Sequence, residues 1–247
     1  MVNLLGKRVL LTGGLGTLGR AQASKLASEG ANVIVLDRPE LDDANARASE
    51  LGENVSFLGC DLNELTAAEK VVSEKSGEIG GFDILINNAA LIINKPFENF
   101  SLEEYEDQIR VNSSAAFALV RACVPHMKKA GHGKIVNFTS ITLTGQWDGY
   151  VPYIASKGAM LGLTKSLARE LGPFGINVNA VAPGAIVSEA EERVFGDKLQ
   201  EYNDWVLDRQ CLKSRIQPEH VADLVHFLVS DASDMVSGQN FAIDGGW

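Results

Sequence analysis

Apolar residues along this chain fall into short unbroken runs, separated by longer stretches in which they recur at helical spacing. The runs predict strand cores near 7–12, 31–37, 54–59, 82–87, 133–139, 175–181 and 239–243, with helices starting near 18, 41, 64, 101, 152 and 217. A run such as Lys7-Arg-Val-Leu-Leu-Thr12 has no polar face of its own, which suits a strand covered on both sides in a parallel sheet. Regular alternation of strand and helix implies right-handed crossovers, and so an α/β domain with one doubly wound parallel sheet of about seven strands and helices on both faces. Ligands of such sheets lie beyond the carboxyl ends of the strands. Gly13, Asp37, Asp61, Asn88, Ser140 and Pro183 all follow predicted strand ends, so separated segments are expected to converge on one edge.

Composition narrows the picture without changing it. A chain of 247 residues with 45% hydrophobic content can bury one sizeable core, and no Pro/Ser-rich tract, charge block or internal repeat interrupts it, so a single domain over 1–247 is expected. The apolar runs are broken by charges or glycines, and the first residues lack a signal-peptide layout; neither a membrane span nor export is expected, and the cytoplasm is the expected compartment. With a net charge of −10 and no basic stripe, nucleic acid is not an expected partner. Cys60, Cys123 and Cys211 are too few and too scattered for a disulfide framework, and the four histidines form no recognisable metal set, so no metal is expected.

Two local patterns carry chemistry. The first strand empties into Gly13-Gly14-Leu15-Gly16-Thr17-Leu18-Gly19 and then a helical stretch; glycines let the backbone turn tightly beside a pyrophosphate, which free N–H groups and the helix N-terminus stabilise. The second strand ends in Asp37, 18 positions after Gly19, where a carboxylate accepts hydrogen bonds from an adenosine ribose; a plain strand-end acid is the alternative. The other pattern is Tyr153-Ile-Ala-Ser-Lys157, with Ser140 thirteen residues upstream. One helical turn separates Tyr153 from Lys157, so the ammonium is expected to favour tyrosinate and to make the phenol a usable acid or base near neutral pH.

These motifs, in this order, resemble the short-chain dehydrogenase/reductase family over essentially the whole chain: Thr12-Gly13 to Gly19, Asp61-Leu62, Asn87-Asn88-Ala89-Ala90, Asn112, Ser140, Tyr153 with Lys157, and Pro183-Gly184 with Ser188. Thr17 and Ala90 stand where the common pattern has glycine. Gly16 offsets the first departure through a T-G-x-x-G-x-x-G spacing. The resemblance implies a single-domain Rossmann fold and hydride transfer at a CH–OH carbon. It implies that Tyr153 moves the proton, Lys157 lowers its pKa and bonds the nicotinamide ribose, Ser140 holds the substrate oxygen, and Asn112 anchors a water linking Lys157 to solvent. It assigns the dinucleotide to Gly13, Leu15, Thr17, Leu18, Asp37, Arg38, Asp61, Leu62, Asn88, Ala89, Tyr153, Lys157, Pro183, Gly184, Ile186 and Ser188. It also implies a homotetramer.

Charge argues for NAD as the cofactor, because Asp37 would repel a 2′-phosphate and the glycine turn holds no Arg or Lys; Arg38 is the counterweight. Substrate identity is expected in 143–150 and in a lid over about 184–214, which carries seven acids against four bases. The aromatics Trp147, Phe195, Tyr202 and Trp205 either line a pocket there or merely pack. The lid's sign disfavours a multiply anionic substrate, so a neutral cyclic or aryl secondary alcohol or ketone is the leading expectation and a sugar or polyol the next. An NADPH-dependent 3-ketoacyl reductase and a catalytically silent dinucleotide sensor are the further alternatives.

Overall fold

The computed structural model describes residues 4–247. Its strands are β1 (Arg8–Thr12), β2 (Asn32–Asp37), β3 (Val55–Gly59), β4 (Ile84–Asn87), β5 (Gly133–Phe138), β6 (Ile176–Pro183) and β7 (Asn240–Ile243). They form one sheet in the order β3-β2-β1-β4-β5-β6-β7, every neighbouring pair parallel. The order reverses direction between β1 and β4, which opens a crevice at the carboxyl edge where α/β sheets bind ligands.

Alternate side chains of each strand point to opposite faces, and both faces are covered. Val9, Leu11, Val33, Val35, Ile84 and Ile86 pack with Ala23 and Leu26 of α1 (Thr17–Ser28) and Val221, Val225 and Leu228 of α9 (Pro218–Val229). Leu10, Ile34, Leu36, Leu85 and Ile135 face the other way, onto α3 (Leu65–Ile79), α5 (Ala115–Ala130) and the end of α6 (Val151–Leu171). Each large side chain so buried contributes about 1.5–3 kcal/mol, which is why the strands read as continuous apolar runs. At the amino edge Arg8 clamps β1 to β4 through two 2.9 Å bonds to the Asp83 carboxylate. Burial works to raise the Asp83 carboxyl, but the hydrogen bonds from Arg8 outweigh it and hold the group below the usual carboxylate range.

All seven predicted strands are present. The helical stretch expected to start at 101 is a more complex object: α4 (Leu102–Ile109), a π turn over Arg110–Ser114, and then α5. Ser101 and Glu104 form a reciprocal capping box at its start, and the π turn is marked by Ala115 N–H donating to the Arg110 carbonyl, five residues back. The short α2 spans Ala44–Ser49. Within 184–214 the chain forms two helices, α7 (Glu189–Phe195) and α8 (Leu199–Arg209), that periodicity had not picked out.

Candidate active site

The glycine turn between β1 and α1 is shaped by the absence of side chains. Gly13 has φ of +63°, and a Cβ there would lie 2.9 Å from the Ala89 Cα; a Cβ on Gly19 would lie 2.1 Å from the Gly13 carbonyl oxygen. The turn therefore packs against the end of β4 and folds back on itself, which only glycine permits. Gly16 caps α1 with no side-chain bond, and no acid occupies the first helical turn, so the first N–H groups and the positive helix end are left for an anion. These features fit a dinucleotide pyrophosphate.

Asp37 does more than wait at a strand end. Its Oδ2 accepts the Leu15 N–H at 3.1 Å and its Oδ1 accepts the Arg38 N–H at 2.9 Å, so the carboxylate is held against the turn. The Arg38 side chain is exposed and lies 4.0 Å from Glu40. Asp61 accepts the Asn63 N–H at 2.8 Å, and Leu62 is buried beneath it. Two of the residues expected at the dinucleotide also bond to protein. The Leu15 N–H is engaged by Asp37, and the Asn88 side chain is spent on protein: its amide donates to the carbonyls of Thr12 at 2.9 Å and Gly13 at 3.2 Å, while its oxygen accepts from Gln22 at 2.9 Å. Thr12 Oγ1 in turn accepts the N–H groups of Asn88 and Ala89, both at 3.0 Å. Asn88 and Ala89 thus brace the turn.

A cavity of about 200 Å³ lies between the β4 and β6 ends, and Leu18, Asn88, Ser140, Tyr153, Lys157, Pro183, Gly184, Ile186 and Ser188 all line it. Asp37 and Asp61 sit on the same carboxyl edge, at the ends of β2 and beyond β3. Ser140 follows β5 and opens a short 3-10 turn, where its hydroxyl accepts from Thr142 N at 3.1 Å and Thr142 Oγ1 at 2.9 Å. Its hydroxyl also reaches the Tyr153 phenol, so the two hydroxyls meet at the cavity.

Tyr153 and Lys157 share one face of α6, but their electrostatics depart from the expectation that lysine would depress the phenol. Lys157 is only 2% exposed, its Nζ donates to the Phe138 carbonyl at 2.9 Å, and it lies 5.4 Å from the Tyr153 ring centroid. Burial pulls the lysine down to about 8. Burial also pushes the Tyr153 phenol up to about 12, with a hydrogen bond from Ser140 acting in the opposite sense and Tyr150 adding to the rise. The cost of desolvating the phenolate is the larger effect, so Tyr153 keeps its proton near neutral pH. That is the state that protonates a carbonyl oxygen.

Asn112 sits in the π turn, where its Oδ1 accepts the Leu91 N–H at 2.6 Å and its amide donates to the Leu91 carbonyl at 2.9 Å and to Ser156 Oγ at 3.0 Å. Ser156 also donates to the Tyr153 carbonyl at 2.6 Å. Through these bonds the Asn112 side chain ties the segment after β4 to the helix that carries Tyr153.

Trp147, Phe195 and Tyr202, expected either to line a pocket or merely to pack, line the cavity, and sequence reasoning missed their neighbour Trp247. Trp147 stacks on the C-terminal Trp247 at 4.7 Å between ring centroids, and Trp205 meets both, at 5.8 and 5.3 Å. Phe195 and Tyr202 stack at 3.7 Å. The aromatics of α7 and α8, which look scattered in sequence, form one ladder once both helices fold. Trp247 is placed by the last backbone turn: Cys211 N donates to Gly246 O at 3.1 Å and Leu212 N to Gly245 O at 2.9 Å. Beside this ladder Glu191 and Arg215 form an ion pair with both side chains largely buried, and Glu191 lines the cavity. Glu191 was hidden in the acidic run Glu189–Glu192, where one carboxylate looks like the next. Its spacing from Ser188, three residues as in a helix cap, was the one available signal.

Residues 14–247 match the family model described as enoyl-(acyl carrier protein) reductase. The chain is 35% identical to D-xylose 1-dehydrogenase of Caulobacter vibrioides, over 99% of this chain and 97% of that one. It is 35% identical to gluconate 5-dehydrogenase of Gluconobacter oxydans, over 100% of this chain and 96% of that one. The chain belongs to the short-chain dehydrogenase/reductase family. A crystal structure from Beutenbergia cavernae, described as an NAD(P)-dependent gluconate 5-dehydrogenase with NADP at low occupancy, superposes with a TM-score of 0.92 at 33% identity, covering 99% of this chain and 98% of that one.

Membership makes the protein an oxidoreductase acting at CH–OH carbons, and members of the family use a nicotinamide dinucleotide, which supplies or accepts the hydride. In this chain the glycine turn and the N-terminus of α1 would hold its pyrophosphate and Asp37 its adenosine ribose. Pro183 to Ser188, Tyr153 and Lys157 would flank the nicotinamide end. Ser140 and Tyr153 would bind the reacting oxygen, with the phenol giving or taking the proton. Among the described residues no group of His, Cys, Asp and Glu is arranged to hold a metal ion, and no helix is long and apolar enough to cross a membrane.

Proposed function

We propose that the protein transfers a hydride between NAD and a ring-carbon hydroxyl of a neutral sugar or cyclic polyol. The observation that carries this reading is the cavity wall facing Ser140 and Tyr153: aromatic rings of Trp147, Tyr150, Phe195 and Tyr202 around a single carboxylate, Glu191. A sugar ring offers C–H faces to aromatic surfaces and hydroxyl donors to an acceptor, so that wall matches it on both counts. An unsubstituted aryl or cycloalkyl alcohol would leave unused the acceptor capacity that Glu191 keeps beyond Arg215, which moves the preference from the simple alcohol expected from sequence to the hydroxylated one. The neutral sugar in the name of the D-xylose 1-dehydrogenase relative supports the same class, whereas the gluconate in the name of the other relative is an aldonate. The test is a panel of pentoses, hexoses, cyclic polyols and plain secondary alcohols with NAD, following reduced-cofactor absorbance. Turnover of the plain alcohols alone would overturn the reading.

The choice of NAD rests on Asp37. Because the Leu15 and Arg38 N–H groups both hold its carboxylate, it is not free to swing away from a 2′-phosphate, and Arg38 points out toward Glu40. Asp37→Ala is expected to weaken NAD binding and narrow its margin over NADP by about 1–3 kcal/mol, the scale of a hydrogen bond to a charged group. Titration of both cofactors into wild type and variant checks this. A wild type that already prefers NADP would defeat the charge argument.

We further propose self-association through the α5–α6 face. Among the apolar residues of α5, Ala115, Ala118, Leu119, Val120 and Cys123 pack inside the monomer. What stays outside is compact: Phe117, half exposed, with Leu65, Ala159 and Leu163 around an open groove of about 390 Å³. A Cβ on Gly162 would meet nothing within 4 Å, so a neighbouring backbone could approach there closely. Light scattering is expected to return a multiple of 26.5 kDa, a tetramer by family habit, and a monomer at micromolar concentration would refute it.

A further inference from the structure

Glu191 lines the substrate end of the cavity, and the way it meets Arg215 is unusual. Both Glu191 oxygens accept from one nitrogen, Arg215 Nη2, at 2.7 Å each. The same nitrogen reaches the Ala185 carbonyl at 3.4 Å, and Arg215 Nε is buried without a partner among the described residues. The side chains are 12% and 11% exposed. Both positions are held from outside the pair. The Glu191 N–H donates to Ser188 Oγ at 3.3 Å at the start of α7, and Arg215 precedes Ile216, which bridges to Ile186. The carboxylate is thus carried on the cap of the cofactor-side helix, and the guanidinium on a backbone bridge to the segment leading into it.

We infer that Glu191 sets the substrate class: its carboxylate takes a hydrogen bond from a hydroxyl of a neutral substrate and, by occupying Arg215, closes the site to a substrate carboxylate. The inference rests on the reaction proposed above and deepens it by separating neutral sugars and polyols from aldonates. A carboxylate offers about four lone-pair sites; Arg215 uses one on each oxygen and the Tyr202 hydroxyl a third, so an acceptor remains for a substrate hydroxyl. An aldonate carboxylate would enter beside a buried negative charge whose only cation is already engaged. The lid, with seven acids against four bases, adds to the same sign. Discrimination then comes from an uncompensated charge that the wrong substrate would create.

The experiment compares wild type with Glu191→Gln and Glu191→Asp. It measures kcat/KM with NAD across neutral sugars, polyols and their aldonates, and titrates sodium gluconate calorimetrically into the NAD-saturated proteins; NAD binding reports that each variant is folded. Glu191→Gln keeps the size of the side chain but frees Arg215 from a charge, so the neutral-to-aldonate ratio is expected to fall tenfold or more and gluconate binding to appear. Glu191→Asp retains the charge and is expected to keep gluconate out. A ratio that falls less than tenfold in Glu191→Gln, or wild-type gluconate binding as tight as that of a neutral sugar, would overturn the inference. If Glu191→Gln fails to fold, Arg215→Gln serves: with Glu191 left uncompensated it should bind gluconate no better than wild type, and tighter binding would count against the proposal. The two readings fail separately, because a wild type that oxidises no sugar, polyol or aldonate refutes the reaction class while the gluconate titrations still decide the role of Glu191.

Discussion

Tyr153→Phe is expected to lower kcat by about 10²–10⁴-fold while leaving the NAD dissociation constant nearly unchanged. Only one hydroxyl is removed. The ring, its place on α6 and its contact with Tyr150 at 6.0 Å between centroids all remain, so the glycine turn and the Asp37 carboxylate that hold the dinucleotide are untouched. Hydride movement to or from carbon leaves an alkoxide or a protonated carbonyl unless a proton moves at the oxygen, and Tyr153 is the titratable group beside Ser140 in the cavity. The measurement is kcat and cofactor affinity on the same preparation. A variant retaining more than about a tenth of wild-type kcat would remove Tyr153 from that role, since general acid–base catalysis contributes more than this. The loss should also persist at high pH, because phenylalanine has no proton to give at any pH.

Lys157→Met is expected to remove a pH-dependent component of stability. The folded pKa of about 8 lies below the ordinary 10.5, so the sign is opposite to that of a lysine that gains an acidic partner. Below pH 8 both states are protonated, and the folded protein carries the full cost of burying the charge. Between pH 8 and 10.5 the folded state has released its proton while the unfolded chain keeps it, so stability rises with pH. The whole interval corresponds to about 3 kcal/mol. Other lysines titrate alike in both proteins and cancel in the difference. Denaturant unfolding of wild type and Lys157→Met from pH 7 to 10.5 should give curves that converge or cross as pH rises, with the wild type gaining. Parallel curves would show that Lys157 keeps its charge at an ordinary cost. The lost bond to the Phe138 carbonyl shifts the variant by a pH-independent amount and does not affect the slope. Activity should fall as well, since Lys157 flanks the same cavity.

Much of this protein was determined by sequence alone. Strands buried on both faces read as apolar runs, and the seven found are the seven expected, because β1 to β7 alternate their side chains into two cores that both need filling. The glycine turn was legible because its geometry excludes a Cβ at Gly13 and Gly19, a constraint that a sequence shows directly as glycine. Tyr153 and Lys157 were legible because one helical turn separates them, and α6 does bring them to one cavity with Ser140.

What required the tertiary structure was everything set by burial or by long-range pairing. Spacing placed a cation near the phenol, but the sign of the resulting shift depends on desolvation, which follows from how β5 and α6 close over both groups. The bracing bonds of Asn88 and Asn112 became visible only in the fold, because their partners at Thr12, Gly13, Leu91 and Ser156 are distant in sequence and a local pattern cannot show them. The aromatic ladder is the clearest case. Phe195, Tyr202 and Trp205 lie on two short helices, Trp147 on a loop and Trp247 at the chain end, and no period links them. Likewise Glu191 differs from the acids around it only in meeting Arg215 inside a cavity, a juxtaposition created when the segment after β6 folds back along the approach to α9.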